Sequence, residues 1–157
     1  MIRSAALTLM LAALPTVSPA PVDDLGPDQI LIAIYSAYGP DSAPEDVPER
    51  FFSPDLLALY DAVEAGVPRG EMGIDFDIFI DAQDIEAVKD LSLYVWDLGP
   101  GARDVDARFT VFGEPRAIRY AFIATPQGWK IDNIIWRGES ENLRSHLRGL
   151  KARQGAP

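Results

Sequence analysis

Four segments between residues 91 and 136 show a side-chain period of two, and this pattern constrains the possible fold most. The segments comprise residues 91–97, 105–112, 117–125 and 128–136. A period of two is typical of strands that bury one face. Turns of hairpin length, rich in glycine and proline, separate successive segments. Because such short connections join antiparallel neighbours, the sequence predicts an antiparallel meander.

The last of these segments changes phase part-way along. Trp129 and Ile131 share one face by a period of two, whereas Ile134 and Trp136 share the opposite one. Either this strand is buried on both faces, or a β-bulge lies near Asp132–Asn133 and re-aims the side chains. Both interpretations place Asp132 or Asn133 near an apolar interior.

Two helices are predicted ahead of the strands. Residues 28–38 carry apolar side chains at helical spacing and end at Gly39–Pro40. The second helix begins after Ser53, a favourable N-cap, and has Pro54 at its first position. Gly66 is predicted to close this helix as a C-cap. Helices followed by a run of antiparallel strands are typical of an α+β fold.

The remaining segments set the predicted limits of the domain. Residues 141–150 have leucines on one face and predict a short C-terminal helix. Residues 41–49 are acidic and rich in proline, which predicts a loop. The interpretation is one domain over residues 28–150, with a flexible lead at residues 21–27 and a frayed tail at residues 151–157.

The first 20 residues have the layout of a cleavable signal peptide. Basic Arg3 precedes an apolar run over residues 5–14, and Ser18 and Ala20 occupy the −3 and −1 positions of a cleavage site. The apolar run is too short to span a bilayer as a stable anchor. We therefore expect a periplasmic or secreted protein that keeps no membrane anchor once it is cleaved after Ala20.

Charge and composition exclude several classes of function. The chain has 14 Lys and Arg residues against 24 Asp and Glu residues, so its formal net charge is −10. This balance argues against nucleic-acid binding and against docking on anionic lipid, because both need basic residues. The sequence contains no cysteine, which excludes disulfides, thiolate metal sites and cysteine nucleophiles. We expect no cofactor.

Several stretches resemble a known bacterial exported family, over about residues 28–150. They read "FFSPDLLALY", "DFDIFIDAQD", "FTVFGEPRAIRYAFI" and "GWKIDNIIW". The family is domain of unknown function 3828, in the nuclear-transport-factor-2-like (cystatin-like) superfamily. The resemblance implies a cone, in which N-terminal helices pack on a strongly curved antiparallel sheet and a pocket lies at the open end.

The same resemblance points to particular residues, but it implies no established activity. It marks Asp77, Gln83, Asp84 and Trp129. Members of the family usually carry aspartate at the position of Asn133, so this chain departs from the pattern there. Fold alone does not settle function, since relatives in the superfamily include isomerase-like enzymes as well as binding and dimerisation modules.

The acidic stretch at residues 75–84 fits two periods and three chemical interpretations. As a strand it places Asp75, Asp77 and Asp81 on one face; as a helix it aligns Asp77, Asp81 and Asp84. Oxygen-rich clusters suit calcium or magnesium, but the spacing departs from the calcium-loop pattern, so no metal site is predicted. A carboxyl group in an apolar pocket could instead act as a general base.

The structural interpretation is the one that the sequence favours, because aspartates cap turns and helix ends by accepting backbone N–H bonds. The leading hypothesis for function is a non-enzymatic periplasmic module that binds a small ligand or a partner protein. The alternatives are an isomerase- or hydratase-like enzyme with an aspartate base, and a homodimer built through the convex sheet. Candidate pocket residues are Asp77, Gln83, Asp84, Arg119, Trp129, Asp132 and Asn133.

Overall fold

The computed structural model describes residues 25–71, 73–137 and 141–155. The predicted signal peptide lies outside these residues. The elements are α1 (Pro27–Ser36), α2 (Val47–Phe51), α3 (Pro54–Glu64), β1 (Lys89–Asp97), β2 (Ala102–Val111), β3 (Glu114–Thr125), β4 (Gly128–Arg137), β5 (Glu141–Asn142) and α4 (Leu143–Gln154). The order of helices and strands is that of an α+β protein, as predicted.

The five strands form one antiparallel sheet in the order β1-β2-β3-β4-β5. The predicted meander is therefore confirmed. The β2–β3 hairpin turns at Phe112 and Gly113, whose φ angles of 52° and 72° are both left-handed. Two-residue hairpin turns of the type I′ class need positive φ at both positions, which Gly113 tolerates and Phe112 adopts at a steric cost.

Of the two interpretations of the phase change in β4, the structure shows the bulge, at Asp132. Ala121 pairs with Asn133 and the next residue, Phe122, pairs with Ile131, so Asp132 is the extra residue. The bulge shifts the phase of the strand by one position. As a result Ile131 and Ile134, three residues apart, are both fully buried.

The helices cover one face of the sheet. α1 packs against β1 and β2, while α3 and α4 pack on each other and against β4. The buried side chains of β2 and β3 alternate along each strand and meet the helices: Val105, Ala107, Phe109, Val111, Ile118, Tyr120 and Phe122. The opposite face of β1, β2 and β3 carries Tyr94, Trp96, Asp104, Asp106, Arg108, Ala117, Arg119 and Ala121, and we call it the open face.

The start of α3 is determined by local sequence. The side chain of Ser53 accepts a hydrogen bond from the Leu56 backbone N–H at 3.2 Å, and Pro54 occupies the first helical position. Ser53 is fully buried, and its own backbone N–H donates to the carbonyl of Ile131 at 2.8 Å. The predicted N-cap is therefore confirmed and also ties α3 to β4.

Several predicted boundaries differ from the structure. The first helix ends at Ser36 rather than at residue 38, and Glu141–Asn142 form β5 rather than the start of the last helix. Val47–Phe51, which overlaps the predicted loop at residues 41–49, forms the short helix α2. α1 begins at Pro27, inside the predicted lead, and α3 is capped by Ala65 rather than Gly66. α4 continues to Gln154, because the Gln154 side chain donates to the carbonyl of Val63 at 2.9 Å and holds the last turn on α3.

The stretch at residues 75–84 is neither the strand nor the helix that its periods allow. It consists of turns closed by a single bridge between Asp77 and Ala82. In the described part of the chain, no helix is long and apolar enough to cross a membrane.

Candidate functional site

Asp77 organises the turn at residues 77–82. Its carboxylate Oδ1 accepts hydrogen bonds from the backbone N–H groups of Phe79 at 2.8 Å and Ile80 at 3.3 Å. Its own backbone N–H donates to the carbonyl of Ala82 at 2.7 Å. This closed turn presses the buried side chains of Ile78, Phe79 and Ile80 toward the helix-covered face of the sheet. Asp77 is thus a turn-forming residue, the role that the sequence favours for the acidic stretch.

The hydroxyl of Tyr38 donates to the same carboxylate, at 2.7 Å from Oδ1 and 2.8 Å from Oδ2. Burial raises the pKa of Tyr38 far above its ordinary value, and the neighbouring charge of Asp77 raises it further. Tyr38 therefore stays protonated and acts as a donor at any physiological pH. The contact fastens residues 77–82 to the end of α1.

Two further tyrosines form a buried hydrogen-bonded group beside this contact. The hydroxyl of Tyr35 donates to the backbone carbonyl of Phe79 at 2.9 Å and lies 2.7 Å from the hydroxyl of Tyr120. Burial raises the pKa of both tyrosines well above the ordinary value. The group joins α1, β3 and the turn, so the helix-covered side of the sheet is filled here by packed aromatic side chains.

A cleft of about 260 Å³ opens next to Asp77, and we call it the tyrosine cleft. Its lining is Tyr38, Pro44, Asp46, Val47, Pro48, Tyr60, Glu64, Ile74, Phe76, Asp77, Ile78 and Phe79. Of the predicted pocket residues, Asp77 alone lines it. Gln83 and Asp84 are exposed beyond the turn.

Asp132 and Asn133 lie at a junction between three elements. The hydroxyl of Ser53 donates to Asp132 Oδ1 at 2.6 Å, and the guanidinium of Arg144 pairs with the same carboxylate. Arg144 Nε also donates to the Asp132 carbonyl at 2.6 Å, and Asn133 Oδ1 accepts from the Arg144 backbone N–H at 3.1 Å. The β4 bulge thus binds the N-terminal turns of both α3 and α4. An asparagine serves at position 133 because its oxygen accepts backbone donors.

Arg119 projects from the open face rather than toward the helices. Its Nε and one terminal nitrogen donate to the two carboxylate oxygens of Asp106, at 2.6 and 3.1 Å. The indole Nε1 of Trp96 donates to Asp106 at 3.0 Å, and the Tyr94 ring lies 4.5 Å from the Trp96 ring between centroids. Hydrogen bonding from Arg119 and then from Trp96 outweighs partial burial and holds the pKa of Asp106 below its ordinary value.

A shallow depression of about 480 Å³ extends across this part of the open face. It is lined by Asp104, Asp106, Arg108, Ala117, Ile118, Arg119, Ile135 and Trp136. Trp129 lies elsewhere, at the end of the helix-covered face, where the guanidinium of Arg103 stacks 4.6 Å from its ring centroid. The seven predicted site residues are thus distributed over the turn, the exposed stretch just beyond it, the bulge, the open face and one sheet end.

Sequence reasoning did not single out several side chains that the structure brings together. Tyr60 and Glu64 line the tyrosine cleft from α3, and Tyr94 and Asp106 cluster with Trp96 on the open face. Tyr60 and Glu64 are four residues apart, which is a recognisable helical signal, whereas the cross-strand cluster depends on register. Among the described residues, no group of His, Cys, Asp and Glu is arranged to hold a metal ion.

Comparison with known proteins identifies a similar fold. No protein-family model matches the chain, and no curated protein matches it. A chain in the crystal structure of the type VI native effector-immunity complex Tae3-Tai3 from Ralstonia pickettii is structurally similar, with a TM-score of 0.50 and 21% sequence identity. The match covers 72% of this chain and 96% of that chain. At this identity the similarity concerns the fold alone.

Proposed function

We propose that the protein is an exported, non-enzymatic module that binds a partner protein through the open face of its sheet. The proposal includes the nuclear-transport-factor-2-like cone that the resemblance to domain of unknown function 3828 implies. The single observation that carries it is the aromatic pair Tyr94–Trp96, exposed on the open face and fixed by Asp106 and Arg119.

The composition of this cluster supports a protein partner. Tyr94 and Trp96 are 58% and 45% exposed, although large aromatic side chains are usually buried. Tyrosine, tryptophan and arginine are the residue types that contribute most binding energy at protein interfaces. Because Asp106 already holds Trp96 and Arg119 in place, binding would cost little additional side-chain entropy.

Charge indicates the chemistry of the partner. The chain carries a formal net charge of −10, which attracts a positively charged protein over a distance and accelerates their encounter. The open face itself offers carboxylates at Asp104 and Asp106 beside the guanidinium groups of Arg108 and Arg119. We therefore propose a folded partner of net positive charge whose surface presents both basic and acidic side chains to this face.

The geometry of the aspartates supports a binding role over catalysis. Asp77 accepts two backbone N–H bonds and a tyrosine hydroxyl, and Asp132 accepts a serine hydroxyl and a guanidinium. Both carboxylates therefore hold segments of the fold together, a structural role that favours binding over catalysis as the function of the protein. The similar chain from Ralstonia pickettii comes from an effector-immunity complex, so a related fold takes part in a protein–protein complex.

Site-specific photo-crosslinking in the source cell tests the proposal. A Tyr94→p-benzoylphenylalanine variant places the crosslinker on the open face, and Asp61→p-benzoylphenylalanine places it on the exposed side of α3 as a matched control. We expect a crosslinked partner from position 94 only. The purified partner should then bind the native protein, and Trp96→Ala should weaken that binding at least tenfold, whereas Asp61→Asn should not.

Other outcomes would overturn the proposal. Equal crosslinking from both positions would mean that the open face is not the interface. Crosslinks only between copies of this chain would indicate a homodimer instead. A purified partner that binds the Trp96→Ala variant as tightly as the native protein would also contradict the proposal. Export is checked separately, since N-terminal sequencing of the periplasmic or secreted form should begin at Pro21.

A further inference from the structure

The tyrosine cleft is a second concave feature, on the helix-covered side of the sheet and apart from the open face. Its walls come from four parts of the chain: the residues after α1, the start of α2, the end of α3 and residues 74–79. At about 260 Å³ it is near the lower end of the size range of small-molecule sites. A ligand bound there would therefore be small.

The charged residues of this lining have one sign. Asp46, Glu64 and Asp77 supply three carboxylates, and among the described residues no Lys, Arg or His lines the cleft. Glu64 Oε1 lies beside the backbone of Gly73, since a Cβ added at Gly73 would lie only 2.5 Å from it. Glycine at position 73 thus leaves room for this carboxylate against the backbone of the opposite wall.

Two helix ends add to the negative potential. α1 ends at Ser36, two residues before Tyr38, and α3 ends at Glu64, which itself lines the cleft. The last turn of α1 is uncharged, and the last turn of α3 carries Asp61 and Glu64. The carboxyl end of a helix bears a partial negative charge that a basic residue often neutralises. Here that partial charge reinforces the carboxylates, although the short α2 presents its amino end nearby, beside Asp46.

Burial, together with the same acidic residues, raises the pKa values of two tyrosines in the cleft. Burial raises the pKa of Tyr60, and the charges of Glu64, Glu49 and Asp61 raise it further. The pKa of Tyr38 is raised by burial and by Asp77. Both rings therefore remain neutral, with their π faces intact.

The aromatic side chains of the tyrosine cleft indicate which type of cation it would bind. Tyr38, Tyr60, Phe76 and Phe79 all line the cleft. Tyr60 and Glu64 are four residues apart on α3, so a ring and a carboxylate project from the same helical face. An alkylammonium group can bind the carboxylate and the ring together, because it is attracted to negative charge and to the faces of aromatic rings. A hydrated metal ion gains little from apolar walls.

We propose that the tyrosine cleft binds a small organic cation carrying an alkylammonium group. Glu64 supplies the main charge contact and Tyr60 a ring face, while Asp77, held by Tyr38 and the turn, adds to the potential. The site is independent of the open face, so the protein would take a small ligand on one side of the sheet and a partner protein on the other.

Titration with matched probes tests this inference. Choline and n-butylammonium are the cationic probes, and 3,3-dimethylbutan-1-ol is the neutral analogue of choline with the same shape. We expect at least one cation to cause saturable amide chemical-shift changes around Tyr60 and residues 76–79. The neutral alcohol should bind at least tenfold more weakly. Added salt should weaken cation binding further, because the attraction is electrostatic.

Variants assign the binding to this cleft. Glu64→Gln should weaken cation binding about tenfold, whereas Asp55→Asn, on the same helix but outside the cleft, removes an equal charge and should change it less than twofold. Thermal unfolding of each variant checks that the fold is kept. Equal binding of choline and its neutral analogue, equal effects of the two substitutions, or failure of both cations to bind at ~10 mM would overturn the inference.

Discussion

The guanidinium of Arg144 at the start of α4 pairs with the carboxylate of Asp132 at the bulge of β4. The same carboxylate accepts the hydroxyl of Ser53, so one side chain joins a strand and two helices. The side chains of Arg144 and Asp132 are 19% and 30% exposed, which places the pair at the edge of the core. A bulge positions Asp132 for this contact, because a regular strand would have kept the alternating phase.

Removing this carboxylate is expected to destabilise the protein. Asp132→Ala removes the carboxylate that accepts the Ser53 hydroxyl and one guanidinium nitrogen of Arg144, while Arg144 Nε keeps its bond to the backbone carbonyl at this position. The free energy of unfolding should therefore fall by about 1–3 kcal/mol. Urea denaturation measures the change. Asp84→Ala is the matched control: Asp84 is an exposed aspartate, and its removal should alter stability by less than about 0.5 kcal/mol. Equal effects of the two substitutions would contradict the structural role of Asp132.

The turn at residues 77–82 gives a second prediction. Asp77→Ala removes the acceptor of two backbone N–H groups and of the Tyr38 hydroxyl, so unfolding should become easier by about 2–4 kcal/mol. Asp75→Ala, two residues earlier at an exposed position, should cost less than about 0.5 kcal/mol. A small effect of Asp77→Ala in chemical denaturation would show that the turn forms without its carboxylate.

The buried tyrosine pair should respond asymmetrically to loss of its hydroxyls. Tyr35→Phe removes a 2.9 Å bond to the Phe79 carbonyl and leaves Tyr120 only a 3.4 Å contact with that carbonyl. We expect Tyr35→Phe to lower the free energy of unfolding by about 1–2 kcal/mol. Tyr120→Phe should lower it less, because the bond from Tyr35 to the Phe79 carbonyl remains. A double-mutant cycle measured by urea denaturation tests the coupling, and purely additive costs would argue against a shared network.

The β2–β3 turn offers a stabilising substitution. Phe112 adopts a φ of 52° that a bulky side chain disfavours, whereas asparagine tolerates it. Phe112→Asn should therefore raise the free energy of unfolding by about 0.5–1 kcal/mol. Gly113→Ala, at a φ of 72°, should have the opposite effect, of about 1 kcal/mol. If Phe112→Asn lowers the melting temperature, packing of the Phe112 ring outweighs the backbone strain.

We expect the stability of the protein to depend on pH through His146. Its ring packs edge-on against Phe76 and Trp136, and burial lowers its pKa below the ordinary value of 6.5; Arg153 lowers it further, while Asp75 opposes the shift. The unfolded chain therefore binds the proton more readily than the folded one. Stability from this group is fully present above about pH 6.5 and is lost as pH falls below that value.

Replacing the histidine should remove this dependence. We expect the melting temperature of the native protein to fall more steeply between pH 7 and pH 5 than that of His146→Gln, which carries no titrating group at this position. The carboxylates contribute to both curves, so the difference between them isolates His146. Parallel curves would show that the ring titrates in the folded protein as it does in the unfolded chain.

Much of the fold could be predicted from local sequence patterns. The side-chain period of two located the four long strands, because burial of one sheet face imposes it. The change of phase in "GWKIDNIIW" allowed either a bulge or a strand buried on both faces, and the structure decided for the bulge. Ser53 and Pro54 predicted the start of α3, since capping depends on residues within one turn. The short helix α2 was not predicted, because its five residues are too few to show helical periodicity and follow an acidic, proline-rich stretch.

The candidate sites depended on tertiary structure. Tyr38 and Asp77 are 39 residues apart, and Asp106 and Arg119 meet through the register of β2 and β3. Local spacing therefore listed aspartates without distinguishing Asp77, which closes a turn, from exposed Asp84. The sequence alone determined the strands, the faces of the sheet and the overall charge, because these follow from short-range periodicity and composition. Only the packing of distant segments decided which carboxylates are engaged and where rings and charges share a cleft.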